Sequence, residues 1–256
     1  MTEQEIAESL IQFALEPTVS VGITAVPPTD DRASFRSASG VLLRLRGVPY
    51  LVTNSHVLDA YRGLAAQGET QFFFAENAVD PIERLHAESP ELDLAVLLAY
   101  SLRVPVKRNR LAGVPDIRVY EPTQWPPAAP QAGDRVFFAG WPEVGRSDDI
   151  ANMEARFRPY AYVGGMIQEV TAGGRFTMYF DPSVFRGVTG LETLEQLQES
   201  NLSGLSGGPV FRDMSSFGRA HELVGFIEKH GAMSKAMFAT SALHLQEDGQ
   251  IERYVP

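Results

Sequence analysis

A single hydroxyl stands at the centre of a glycine turn in Gly204-Leu205-Ser206-Gly207-Gly208-Pro209-Val210. A serine hydroxyl is a poor nucleophile unless a base takes its proton and fixed donors receive the oxyanion that its attack creates. Glycines serve the second need: without a Cβ they reach dihedrals that turn main-chain N–H groups toward one point. Taken alone, a Gly-Gly-Pro run reads equally as a hairpin turn in a β protein. A base is available upstream in Val52-Thr53-Asn54-Ser55-His56-Val57, where an apolar strand runs into a polar break. An acid stands in Leu92-Asp93-Leu94-Ala95-Val96-Leu97, at the start of another apolar run. Separately, a histidine after a strand is an ordinary surface or packed residue, and an acid before one is a solvated turn residue. Together, the order His, Asp, Ser with each residue at a strand edge is one of the chain orders of a Ser-His-Asp triad.

On these three motifs the chain resembles the trypsin-like, chymotrypsin-fold serine peptidases, and within them the bacterial HtrA-type branch. A fourth segment, Glu222-Leu223-Val224-Gly225-Phe226-Ile227, resembles the strand that follows the nucleophile and flanks the substrate pocket. The four segments fall between Val19 and Leu245. The resemblance implies Ser206 as nucleophile, His56 as general base and then acid, and Asp93 as the group that orients the imidazole. It places the oxyanion hole at the N–H groups of Gly204 and Ser206. It puts the substrate-pocket walls at Ser200, Asn201, Leu202 and Ser203 and at Glu228, Lys229 and His230. Strand alternation leaves open which of Glu228 and Lys229 points inward.

Two departures are informative. Digestive members of that family carry, at the position of Leu205, an aspartate that pairs with a newly cleaved N-terminus; leucine cannot, so no zymogen cleavage of that kind is expected. Near Glu228 the family often has a small hydroxyl residue that supports the aspartate, and this chain has a carboxylate there. The chain is also expected to lack the appended PDZ domain of many HtrA-type enzymes.

Composition bounds the partners and the compartment. The chain has 256 residues, 44% hydrophobic, with mean hydropathy −0.11, which suits one β-rich unit of two lobes. Its net charge of −10 argues against non-specific nucleic-acid or anionic-membrane binding. A basic cluster at Lys107-Arg108-Asn109-Arg110 reads as a solvated turn. The absence of cysteine excludes a thiol nucleophile and fits a reducing compartment. The acidic start, Met1-Thr2-Glu3-Gln4-Glu5, lacks the basic and apolar regions of a secretory signal, so a cytoplasmic location is expected.

The elements that must position the three residues read as strands. Thr2 and Glu5 have capping-box spacing and Ile6, Leu10 and Phe13 recur at helical intervals, predicting a short helix that ends before Pro17. Strand patterns follow at 19–26, 40–46, 48–53, 71–75 and 94–100, with a turn at Pro27-Pro28-Thr29-Asp30. A proline-rich stretch over 121–133 opposes regular pairing. Further strands are expected at 135–139, 161–171, 175–180, 209–211, 221–227 and 236–240, with a hairpin at Gly173-Gly174.

The expectation is an all-β fold of two antiparallel six-stranded barrels with the site in the cleft between lobes. The division is residues 1–17 as helix, 18–120 as the first lobe with His56 and Asp93, 121–133 as linker, and 134–256 as the second lobe with Ser206. Leu191, Leu194 and Leu197 suggest a helical insertion over 189–200, either packed on the barrel or serving as a lid.

Other patterns carry less. Asn201-Leu202-Ser203 matches a glycosylation acceptor that a cytoplasmic chain would not use. His221-Glu222 lacks the second histidine of a zinc-protease helix. Gly173-Gly174-Arg175-Phe176-Thr177 lacks the end of a phosphate loop. No metal or organic cofactor is implied. Two function classes remain: an endopeptidase acting by acyl-enzyme chemistry on protein or peptide substrates, and a protease-like binding module that is silent or needs a regulatory partner to assemble its site.

Overall fold

The computed structural model describes residues 2–26, 35–74, 77–100, 115–143, 146–149, 154–180, 186–187, 204–214, 220–231 and 236–253. The expected 189–200 helix, the pocket wall at Ser200–Ser203, the Pro27–Asp30 turn and the basic cluster at 107–110 lie outside these residues.

Helix α1 (Glu3–Leu15) forms where the capping box predicts it, with Thr2 Oγ1 accepting from Glu5 N–H and the Glu5 carboxylate accepting from Thr2 N–H. Seven strands follow: β1 (Thr18–Ala25), β2 (Phe35–Leu45), β3 (Val48–Thr53), β4 (Thr70–Phe74), β5 (Asn77–Val79), β6 (Leu85–Ser89) and β7 (Leu94–Leu98). They make one antiparallel sheet in the order β5-β4-β1-β2-β3-β7-β6. Between β3 and β4 lies helix α2 (Ser55–Ala65). The second half carries β8 (Arg135–Gly140), a short ribbon β9 (Arg146–Asp149) and β10 (Glu154–Phe157), then β11 (Tyr160–Val170), β12 (Arg175–Tyr179), β13 (Arg186–Gly187), β14 (Pro209–Arg212), β15 (Glu222–Gly231) and β16 (Ala236–Ser241).

The second sheet runs β12-β16-β15-β14-β8-β11, and pairing of β11 with β12 closes these six strands into a barrel, with β13 on the far edge of β11. Its interior is aromatic and aliphatic: Phe138, Tyr162, Phe176, Met178, Phe180 and Ile227 are buried together. The first lobe is a curled sheet of seven strands, and among the described residues no pairing joins its edge strands β5 and β6. β5 is only three residues long, and Asp80 Oδ1 then accepts from Ile82 N–H, turning the chain away from that edge.

A third core lies between the lobes. Leu10, Ala14 and Leu15 of α1 are buried with Val41 and Leu43 of β2 and with Phe137 of β8 and Phe211 of β14. The apolar stripe of α1 thus has two sheets to cover, which is why so short a helix is stable here despite the cost of nucleation. The 121–133 stretch carries no strand. It is tied by Trp125 Nε1 donating to the Leu245 carbonyl at 2.8 Å and by Arg212 Nη2 donating to the Ala129 carbonyl at 2.7 Å.

Candidate active site

His56 is presented by α2, an element the strand-centred sequence reading does not contain. Its signal was available: Asn54 is a good N-cap type, and Val57, Leu58, Tyr61 and Leu64 recur at helical spacing. These residues pack into the first-lobe core beside Phe72 and Leu97. Asn54 makes no side-chain cap bond of its own: its Nδ2 donates to the Asp93 carbonyl at 2.7 Å, and its buried Oδ1 has no hydrogen-bond partner among the described residues. Asp93 takes the capping role from 37 residues away: its Oδ1 accepts from His56 N–H at 3.0 Å. A carboxylate at a helix N-terminus is favoured by the free N–H groups and the helix dipole. The same carboxylate accepts from His56 Nδ1–H at 2.8 Å to Oδ2 and 3.0 Å to Oδ1. A carboxylate can only accept, so Nδ1 carries the proton and Nε2 is left free as a base. The His56 side chain is 52% exposed and that of Asp93 21%, so the base faces the pocket while its partner is largely covered.

Ser206 sits across this pocket, which is lined by His56, Asp93, Arg175, Ser206, Glu228 and Lys229. Gly204 and Gly207 both have positive φ, +94° and +85°. Both also lie against backbone: a Cβ on Gly204 would come within 2.6 Å of the Trp141 carbonyl oxygen, and one on Gly207 would run into the Ser39 carbonyl oxygen. The turn therefore needs glycine at these positions for conformation and for space. Among the described residues, neither the Gly204 nor the Ser206 N–H has a protein acceptor, as two donors reserved for an oxyanion would require. The Ser206 hydroxyl itself donates to the Glu228 carbonyl at 2.9 Å, and among the described residues no hydrogen bond joins it to His56.

Two residues hold this loop: Ser39, which no motif singled out, and Leu205, the departure noted in the sequence. Ser39 of β2 is fully buried; its hydroxyl accepts from Trp141 N–H at 2.8 Å and donates to the Gly204 carbonyl at 2.5 Å. Its own N–H donates to the Ser206 carbonyl at 2.8 Å, and its carbonyl accepts from Thr53 Oγ1 at 2.8 Å. Leu205, standing where an ion-pairing aspartate would be, is buried in the second barrel with Val136, Phe138 and Val210. Apolar packing thus anchors the loop from below while Ser39 ties it to the other lobe.

The register left open by alternation is decided by a bulge. β15 and β16 shift register between Ile227 and Lys229, and Glu228 occupies the irregularity. Its side chain turns inward, where Oε1 accepts from Thr240 Oγ1 at 2.7 Å and pairs with Arg175 Nε at 2.8 Å. Lys229 is exposed, with Nζ 5.6 Å from the centre of the Phe238 ring. His230 lies on β15, and its side chain is outside the described set. Arg175, absent from the sequence-derived site, carried no motif that could have singled it out. Among the described residues no group of three or more histidine or acidic side chains is placed to hold a metal ion.

A family model described as the trypsin-like peptidase domain matches residues 38–217. The chain belongs to that family. It is thus a trypsin-like serine protease, a hydrolase, and its mostly β, two-lobed architecture is the chymotrypsin-like one. Among solved structures, Rv3671c from M. tuberculosis H37Rv, a serine-to-alanine mutant in an inactive form, matches this peptidase with 14% identity and a TM-score of 0.46. That match covers 94% of this chain and 89% of the other. No curated protein sequence matches it significantly.

Proposed function

We propose that this peptidase is an endopeptidase that hydrolyses peptide bonds through an acyl-enzyme intermediate, resembling the HtrA-type branch. Ser206 Oγ attacks the carbonyl carbon as His56 Nε2 takes its proton, and the tetrahedral oxyanion is received by the N–H groups of Gly204 and Ser206. The imidazolium formed is stabilised by Asp93, then gives its proton to the leaving amine; water repeats the sequence to release the acyl group. The observation that carries the reading is the His56 Nδ1–H to Asp93 bond, which leaves Nε2 basic in a pocket shared with Ser206. Substrates are proteins or peptides, and the acidic net charge disfavours nucleic acid and anionic membranes as partners. The lack of cysteine fits a cytoplasmic setting.

Labelling of Ser206 by a fluorophosphonate tests the reading, because it needs the nucleophile, the base and the hole but no known substrate. Labelling rises with pH as the imidazole becomes neutral, and vanishes in Ser206→Ala and His56→Ala. A second reading, a module that a protein partner must activate, is favoured by one observation: the Ser206 hydroxyl donates to the Glu228 main-chain carbonyl and not to His56. Wild-type protein that stays unlabelled alone at neutral and mildly alkaline pH but labels in the presence of a partner supports that second reading over the first.

A further inference from the structure

The turn that presents Asp93 is held in an unusual way. Asp93 has φ +52°, a conformation that residues with side chains rarely adopt and that persists only where the surroundings over-determine it. Three consecutive carbonyls of this turn each face a side-chain donor: Glu91 faces Arg175 Nη2 at 2.7 Å, Leu92 faces Thr240 Oγ1 at 3.0 Å, a hydroxyl whose single proton is shared with the shorter contact to Glu228 Oε1, and Asp93 faces Asn54 Nδ2 at 2.7 Å. Two of these three donors belong to the second barrel. Arg175 is also paired through Nε with Glu228, the buried carboxylate standing where a small hydroxyl residue is usual. A planar guanidinium can meet both acceptors at once in fixed directions, which an ammonium cannot.

We propose that Arg175 is a positioning residue for the triad, a tie that fixes the Asp93 turn to the second barrel and offsets the charge of Glu228 in the pocket that His56 also lines. The inference rests on His56 and Asp93 being the base and the acid of the proposed mechanism. The charged groups sharing the pocket with the imidazole are Asp93, Glu228, Arg175 and Lys229. With Arg175 gone, Glu228 adds an uncompensated negative charge that favours the imidazolium; with Glu228 neutral, Arg175 adds a positive charge that disfavours it. The two substitutions therefore move the same titration in opposite directions, which loss of packing alone would not do.

The test uses the full chain as wild type, Arg175→Met, Arg175→Lys, Glu228→Gln and the Arg175→Met/Glu228→Gln double variant. Two readouts are taken: the pH-dependent rate of fluorophosphonate labelling, and the titration of the His56 ring followed by NMR, which needs no turnover. Arg175→Met is expected to slow labelling on the order of 10- to 100-fold, as small misplacements of reacting groups do, and to move the His56 titration to higher pH. Glu228→Gln, close to isosteric, moves it to lower pH. Arg175→Lys and the double variant bring the titration back toward wild type without restoring the full rate, because the Glu91 carbonyl stays untied. The proposal is overturned if Arg175→Met labels within about twofold of wild type, or if the titrations of Arg175→Met and Glu228→Gln coincide with wild type or move the same way; should Arg175→Met fail to fold, Glu228→Gln and Arg175→Lys decide it alone. Opposite shifts in a wild-type protein that never labels would uphold the tie while refuting the peptidase mechanism.

Discussion

Ser39→Ala tests whether the nucleophile loop is held from the opposite lobe. The substitution keeps the Cβ and the N–H that donates to the Ser206 carbonyl, and removes only the hydroxyl. Two buried partners lose their bond, the Trp141 N–H at 2.8 Å and the Gly204 carbonyl at 2.5 Å. A buried polar group left without a partner costs about 1–3 kcal/mol, so the pair predicts a loss of about 2–6 kcal/mol. That is a large share of the roughly 5–15 kcal/mol that holds a typical domain together. The chemistry should suffer too. With its carbonyl released, Gly204 no longer holds its N–H in place, and loss of one oxyanion donor costs about 2.7–4 kcal/mol of transition-state stabilisation, or roughly 10²–10³ in rate. Urea unfolding followed by tryptophan fluorescence measures the first quantity, with Trp141 itself bonded to Ser39. Labelling per folded molecule measures the second. A stability change under about 0.5 kcal/mol, the range of ordinary surface substitutions, would refute the idea that this hydroxyl holds the loop. A large stability loss with unchanged labelling would confine Ser39 to a structural role.

Two further outcomes are expected. Ser206→Ala and His56→Ala should each remove nearly all peptidase activity while the double variant is little worse than either, since triad members act as a unit; substantial turnover by Ser206→Ala in a peptide-cleavage assay would place the nucleophile elsewhere. At the outer end of the first lobe, hydrogen bonds from Arg62 hold the Glu88 carboxyl below its ordinary range, with a further bond from Ser55 Oγ at 2.8 Å. A carboxyl lowered in the folded state stabilises it above the ordinary carboxylate range and loses that contribution as pH falls through the lowered value. Glu88→Gln should accordingly be less stable near neutral pH and show a flatter fall of stability in acid, read from urea midpoints; an unchanged acid slope would contradict this.

Much of the fold was legible because burial imposes periodicity. The strands of both lobes alternate or run apolar where a core lies on one side or both, as in Val48–Thr53 and Leu94–Leu98. The capping box of α1 is written in four consecutive residues, so its start needed no tertiary information. Helix α2 follows directly on the apolar strand β3, whose pattern runs into it, although its 57, 58, 61, 64 spacing marks a helical face. The open first sheet could not be foreseen, because closure depends on how edge strands curl together and not on the pattern within any one of them.

The same division runs through the site. The types and order of His56, Asp93 and Ser206, and the glycines around the serine, are local statements, because a nucleophile turn needs small residues wherever it occurs. What tertiary structure alone decided is who holds them. Ser39 lies 165 residues from the carbonyl it binds, and Arg175 lies 84 residues from Glu91. No spacing rule connects such pairs, since they meet only when two sheets fold against each other. The inward turn of Glu228 was likewise fixed by a β-bulge, where one extra residue reverses the alternation that sequence reading relies on.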